Sequence, residues 1–304
     1  MKNFAFVFPG QGSQAVGMLD AWGDHSVVRE TLAEASEALG EDVGRLIQEG
    51  PADVLAMTVN TQPVMLVAGI AAWRVWRAEG GALPSMMAGH SLGEYSALVA
   101  AGVLTLAQAA PLVRFRAQAM QDAVPAGVGA MAAVLGLSAD AVVAGCLEAQ
   151  TSFGPGSIEV VEAVNYNDPM QTVIAGSKAA VEKACEVLKG QGAKRTLPLP
   201  VSAPFHSSLM KPAAEKLKEK LAATAFAVPQ IPVVNNIDVA VESDPGRIRD
   251  ALYRQAFGPV RWVECVHALK ARGVTHIVES GPGKVLAGLT KRIDPELVGA
   301  ALFD

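Results

Sequence analysis

Cysteine is scarce. The chain of 304 residues holds three, Cys146, Cys185 and Cys265. They are odd in number, far apart and without CxxC or Cys/His ligand spacing, which excludes a disulfide framework and the common zinc motifs. They read as buried small hydrophobes in a reducing compartment. Charge is also thin, at 18% of residues with a formal net charge of -5, so the chain as a whole offers no basic footprint for nucleic acid. Long apolar runs are missing too. The longest uncharged one, 64–73, stops at Arg74, half of the ~20 residues that a membrane-spanning helix needs. The opening Met1-Lys2-Asn3-Phe4-Ala5-Phe6-Val7-Phe8-Pro9 is too short for a signal peptide and has no small-residue cleavage site. It reads as a buried first strand. The expectation is a cytoplasmic protein with no membrane and no nucleic-acid partner.

What is present is apolar matter. Hydrophobic residues make up 51% of the chain, enough for a large core in one large domain or a large domain with a smaller one. Strand-like runs at 4–8, 86–88, 233–235 and 276–278 alternate with helical patterns at 64–78, 92–101 and 209–223. This alternation predicts an α/β fold with a mainly parallel sheet. The stretch between is punctuated differently: strand 131–135, helix after Ser138, strands 159–164 and 171–175, helix after Ser177, strand 194–199. That βαββαβ order predicts an inserted ferredoxin-like subdomain. Pro125, Gly127 and Gly129 mark one junction, Pro198 and Pro200 the other. The expected division is 1–126 with 199–304 for the large domain and 127–198 for the small one.

The strongest local signal is Gly89-His90-Ser91-Leu92-Gly93-Glu94, placed between a strand and a helix. A serine on such a turn is exposed for attack, small glycines let the chain turn tightly, and the helix start supplies N–H donors for an oxyanion. The bland alternative is a small residue in a tight turn. A serine nucleophile needs a base. His267 lies mid-helix, His276 in a strand-like run and His25 in a polar segment, so each reads as structural or exposed. His90 adjoins the serine on the turn and reads as a pocket residue. His206 sits in the proline-held loop Ala203-Pro204-Phe205-His206-Ser207, a stiffened presentation suited to acid and base work.

A helix is expected over 106–123, opened by a capping box of Thr105 and Gln108. Steps of three and four from Arg116 meet Leu112, Val113, Ala119, Met120 and Ala123, so Arg116 belongs to the core-facing stripe. A buried guanidinium implies either a buried Asp or Glu or an anionic ligand. Arg114 shares its face with Gln118 and Gln121 and reads as a solvated charge. Pro111 should kink the helix or mark its start.

Taken together, Phe8-Pro9-Gly10-Gln11-Gly12-Ser13-Gln14, Thr61-Gln62-Pro63, Gly89-His90-Ser91-Leu92-Gly93-Glu94, Phe205-His206 and Gly281-Pro282-Gly283-Lys284 resemble the malonyl-CoA:acyl-carrier-protein transacylases of type II fatty acid synthesis. The resemblance covers nearly the whole chain. It implies an acyltransferase without a cofactor, whose partners are malonyl-CoA and an acyl carrier protein. It casts Ser91 as the acyl carrier and His206 as the base, with an oxyanion hole from the N–H groups of Gln11 and Leu92. Arg116 falls on the substrate-carboxylate arginine, and the carbonyl of Gln255 on the group that orients the histidine. His90, Gln62 and Phe205 match the acyl pocket, and Asn165 and Asn167 positions lining the pantetheine or active-site cleft. A serine esterase explains the elbow equally well, but usually carries its histidine near the C-terminus; a non-catalytic acyl-CoA-binding module is the other rival. An acidic carrier would need a basic surface, for which Lys183, Lys189, Lys194 and Arg195, or Lys284, Lys291 and Arg292, are candidates.

Overall fold

The computed structural model describes residues 3–125, 127–201 and 203–302. The expected boundary at 126 and both chain ends therefore lie outside the described residues. Strand β1 (Phe4–Phe8) is buried along its whole length. Its even residues Phe4, Phe6 and Phe8 enter one core, while Ala5 and Val7 enter another on the opposite face of the sheet. A strand covered on both faces has no polar side to alternate, so it reads as a continuous apolar run. The helix Thr58–Ala78 covers the first face, with Trp73 and Trp76 edge-on to Phe6 at 5.4 and 5.5 Å.

Around β1 the chain adds β2 (Met86–Gly89), and then, from the inserted segment, β3 (Gly129–Leu135), β4 (Val161–Asp168), β5 (Gln171–Ser177) and β6 (Arg195–Pro198). It finishes with β7 (Val233–Val234), β8 (His276–Glu279) and β9 (Val298–Ala301). The first sheet has the order β7-β2-β1-β8-β9 and is parallel throughout. The second has the order β4-β5-β3-β6 with antiparallel pairs. With the helices Ala139–Thr151 and Lys178–Gly190 it forms the ferredoxin-like unit. One face of this second sheet packs on those helices through Val134, Ile174, Val181 and Leu188. The other face, through Met131, Val164 and Val173, joins the same core as β1. Backbone bonds from Tyr166 to Val260 and from Val260 to Val164, 3.0 and 2.8 Å, tie β4 to the larger sheet's surroundings.

Several expectations need correction. The helix Leu106–Asp122 opens with the capping box Thr105/Gln108, but it runs through Pro111, which neither starts nor ends it. The helix Thr58–Ala78 likewise runs through Pro63 and starts six residues earlier than its apolar pattern suggests. Burial on nearly all sides of Thr58–Ala78, and of one face of Leu106–Asp122, outweighs one lost backbone bond in each case. Arg114 is no solvated charge: it is paired with Glu41 and donates to Asn60 Oδ1 at 2.8 Å. Cys146 and Cys265 are buried, whereas Cys185 is half-buried. Among the described residues no helix is long and apolar enough to cross a membrane.

Candidate active site

The carboxyl ends of parallel strands are where such sheets leave a crevice. Gln11 follows β1, Ser91 follows β2 and Asn236 follows β7. Ser91 has φ 53°, a left-handed conformation unusual for a residue with a side chain. The elbow closes only with glycine beside it. A Cβ on Gly89 would lie 1.9 Å from the backbone of Gly93, and one on Gly93 would lie 2.0 Å from the Phe8 oxygen. Asn236 holds the turn from behind, its Oδ1 accepting the Ser91 N–H at 2.8 Å and its Nδ2 donating to the Gly89 carbonyl at 2.7 Å.

His206, also left-handed at φ 64°, places Nε2 2.7 Å from Ser91 Oγ. Its Nδ1 lies 2.8 Å from the carbonyl oxygen of Gln255. A carbonyl only accepts, so Nδ1 carries the proton and Nε2 is left to accept the serine's. Burial, helped by the positive charge of Arg116, holds the His206 pKa down to about 3. The imidazole is therefore neutral near pH 7, as a base must be. A backbone carbonyl occupies the place that a carboxylate takes in a hydrolase triad.

Arg116 is 2% exposed, as its helical stripe predicts. Its Nη1 donates to Gln62 Oε1 at 2.6 Å, and its Nη2 to Gln255 Oε1 at 3.1 Å and Ser91 Oγ at 3.3 Å. The guanidinium stacks over Tyr95 at 5.5 Å, and Nε has no partner among the described residues. No carboxylate among the described residues forms a direct salt bridge with it. The acid it reaches is Glu94, and only through the Gln255 amide. Burial lowers its pKa, opposed by Tyr95 and Glu94.

A cavity of about 110 Å³ lies over Ser91, walled by Gln62, Arg116, Phe205 and His206. It shares Gln11, His90, Asn165 and Leu199 with an outer cleft of about 320 Å³ that also reaches Asn167 and Arg292. Neither the N–H of Gln11 nor that of Leu92, both at the cavity wall, is used by an intramolecular acceptor among the described residues. His90 Nε2 meets Asn167 Oδ1 at 2.8 Å, and burial lowers its pKa. Asn165 Oδ1 is buried without a partner among the described residues. All the residues expected at the site thus gather at the two cavities, except Gln255, which stands behind His206. His25 caps the helix Ser26–Leu39, His267 is exposed and His276 sits on β8. Lys194, Arg195, Lys284, Lys291 and Arg292 are exposed, Arg292 pairing with Asp168 at 2.8 Å, while Lys183 pairs with Glu186 at 3.2 Å.

Sequence reading gave no role to Asn236, to the side chain of Gln255 or to Glu94. The signal for Asn236 was there. The pair Asn235-Asn236 directly follows a strand-like run, at the edge where parallel sheets bind, yet Asn235 read as part of the strand.

By fold and site the class is an acyltransferase: the acyl transferase domain family matches residues 5–291. Malonyl CoA-acyl carrier protein transacylases of Salmonella typhimurium and Escherichia coli are each 54% identical over 99% of this chain and 96% of theirs. An acyl-carrier-protein S-malonyltransferase from Burkholderia pseudomallei superposes with a TM-score of 0.96 at 66% identity, covering 99% of this chain and 96% of that one. A malonyl-transacylase solved in complex with a holo type II PKS acyl-carrier protein gives a TM-score of 0.94 at 50% identity, over 99% and 95% of the two chains. The chain belongs to the malonyl CoA-acyl carrier protein transacylase family.

Proposed function

We propose that this chain moves a malonyl group from coenzyme A to the phosphopantetheine thiol of an acyl carrier protein, in fatty acid biosynthesis, through an ester on Ser91. The observation that carries the reading is one oxygen between two groups: Ser91 Oγ lies 2.7 Å from His206 Nε2 and 3.3 Å from a buried arginine. In loading, Oγ attacks the thioester carbonyl and its proton passes to His206 Nε2. The N–H groups of Gln11 and Leu92 take the negative charge that develops on the carbonyl oxygen. As the C–S bond breaks, His206 returns the proton to the coenzyme A thiolate. The carrier's thiol then gives its proton to His206 and attacks the ester, and Ser91 recovers its hydrogen.

Arg116 receives the malonyl carboxylate, with Gln62 and Gln255 fixing its fork. That carboxylate also offsets the cation's hold on His206, so the correct substrate strengthens the base. Asn165 Oδ1, unpartnered between the two cavities, suits an amide N–H of the pantetheine arm, and Asn167 fixes His90 at the same wall. Phe205 closes the acyl cavity. No cofactor takes part, coenzyme A thioester being a substrate. The segment 127–198 is the small domain, and 1–126 with 199–304 the large one. Unpaired Cys146, Cys185 and Cys265 suit a reducing compartment, and the cytoplasm is the location proposed.

Incubation with malonyl-CoA followed by intact mass measurement tests the reading. One malonyl adduct is expected, discharged by added holo carrier protein and missing in Ser91→Ala. An adduct retained in Ser91→Ala, or turnover to free malonate with no adduct, would overturn it.

A further inference from the structure

Glu94 ends the elbow motif, and the chemistry above does not use it. It is 2% exposed. Its Oε2 accepts the Asn236 N–H and the Gln255 Nε2, each at 2.9 Å. Gln255 Oε1 in turn accepts from Arg116 Nη2 at 3.1 Å, so a single amide side chain joins the carboxylate to the guanidinium. An acid this deeply buried is costly to ionise unless a positive charge answers it. Arg116 supplies that charge.

Among the charged groups that act on Glu94, Arg116 outweighs Asp238. Asp238 repels it, but is itself held by Arg254 through two bonds of 2.7 Å. Tyr95, pushed up to about 12 mainly by burial, and Cys265, pushed up likewise, stay neutral. His206 and His90 are held neutral by burial. On the far side a cavity of about 10 Å³ is lined by Glu94, Asn235 and Glu242, and Glu242 faces Arg247 at 3.7 Å. Asn235 Nδ2 has no partner there among the described residues. A space of that size admits about one water.

We propose that Glu94 is the counter-ion of Arg116 in the unloaded site, and that arrival of the malonyl carboxylate at the guanidinium draws one proton from solvent onto Glu94. The proposal rests on reading Arg116 as the carboxylate clamp. Its balance is simple: one negative charge enters, one O–H bond forms on Glu94, and the net charge of the buried site is unchanged. Burial already pushes Glu94 up to about 7 against the lowering pull of its bonds from Asn236 and Gln255 and, after them, of Arg116. A carboxylate that takes over the guanidinium removes that last pull, and the value climbs further. A group whose pKa is higher in the loaded state takes up a proton on loading, and does so between the two values. Well below pH 7 Glu94 already carries its proton and nothing is taken up; above it, malonyl binding weakens as pH rises. Acetyl brings no charge and moves no proton.

The test is calorimetric binding of malonyl-CoA and acetyl-CoA to the Ser91→Ala enzyme, in buffers of different ionisation enthalpy at about pH 7. Malonyl-CoA is expected to take up on the order of half a proton more than acetyl-CoA. That difference should vanish in Ser91→Ala/Glu94→Gln and return in Ser91→Ala/Glu94→Asp. Equal proton balance for the two ligands, or uptake that persists in the glutamine variant, overturns the proposal. The first comparison needs no change at Glu94, so a misfolded variant leaves it intact. An Arg116→Ala arm separates the two readings. If malonyl preference survives without Arg116, the clamp falls; if preference needs Arg116 but no proton moves, only the role of Glu94 falls.

Discussion

Arg116 carries the selectivity of the site because a guanidinium in a water-poor pocket rewards a ligand that ends in a carboxylate. A bidentate pair supplies charge-assisted bonds that an acetyl group cannot make. Removing one partner of such a buried pair costs about 2–5 kcal/mol, a factor of tens to thousands. Arg116→Ala should lower malonyl loading by that order, while acetyl loading falls little or rises, since acetyl makes no bond to the guanidinium. Arg114, two residues away, turns outward to Glu41 and Asn60. Its removal should lower stability and leave the malonyl to acetyl ratio unchanged. Side-by-side loading of the two thioesters on wild type and both variants decides it; an equal shift in ratio from Arg114→Ala places the clamp elsewhere. The helical spacing alone put Arg116 inside and left open whether an acid or a ligand met it. Only the folded chain brought Gln62, Gln255 and Ser91 to its fork.

The elbow works as an element because its two ends are held from outside it. Gly89 and Gly93 permit the backbone to approach, and Asn236 bonds to both the Gly89 carbonyl and the Ser91 N–H. Asn236→Ala leaves two buried backbone groups without partners, at about 1–3 kcal/mol each. The variant should melt earlier by the corresponding amount and lose kcat beyond what its unfolded fraction explains, because Ser91 is no longer held at its left-handed φ. Denaturant unfolding and single-turnover loading on the same preparation measure both. A wild-type melting midpoint with wild-type kcat would remove Asn236 from the brace. The glycines were legible in the motif, while the brace was not: Asn236 lies 145 residues from Ser91, and sequence spacing carries no information on that contact.

At the scale of the whole molecule, an enzyme of net charge -5 must meet an acidic carrier through a local basic surface. Arg292 lines the outer cleft, with Lys284 and Lys291 exposed nearby in sequence; Lys194 and Arg195 are exposed at β6. Paired reversals, Lys284→Glu with Lys291→Glu and Lys194→Glu with Arg195→Glu, should separate the two surfaces. The docking surface is the one whose reversal slows transfer to the carrier more than loading from coenzyme A, with a deficit that shrinks as salt is raised. If both half-reactions fall equally in both variants, neither surface docks the carrier.

Local features were legible in the residues alone. A strand buried on both faces must be apolar throughout, an amphipathic helix must place Arg116 inside, and a turn as tight as Gly89 to Gly93 must use glycine. From these came four of the five strands of the parallel sheet, the βαββαβ insert, the serine and the facing of the arginine, while the edge strand β9, with no buried residue, gave no apolar run to read. The ends of helices were less legible, as at Pro63 and Pro111, because packing of the buried face outweighs a single missing N–H. Tertiary structure alone decided what meets across the chain: His206 on Ser91 from 115 residues away, a backbone carbonyl rather than a carboxylate behind the histidine, and the Gln255 amide between Glu94 and Arg116. Such contacts depend on where the crevice at the strand ends closes, and that position is set by the packing of two sheets on one core.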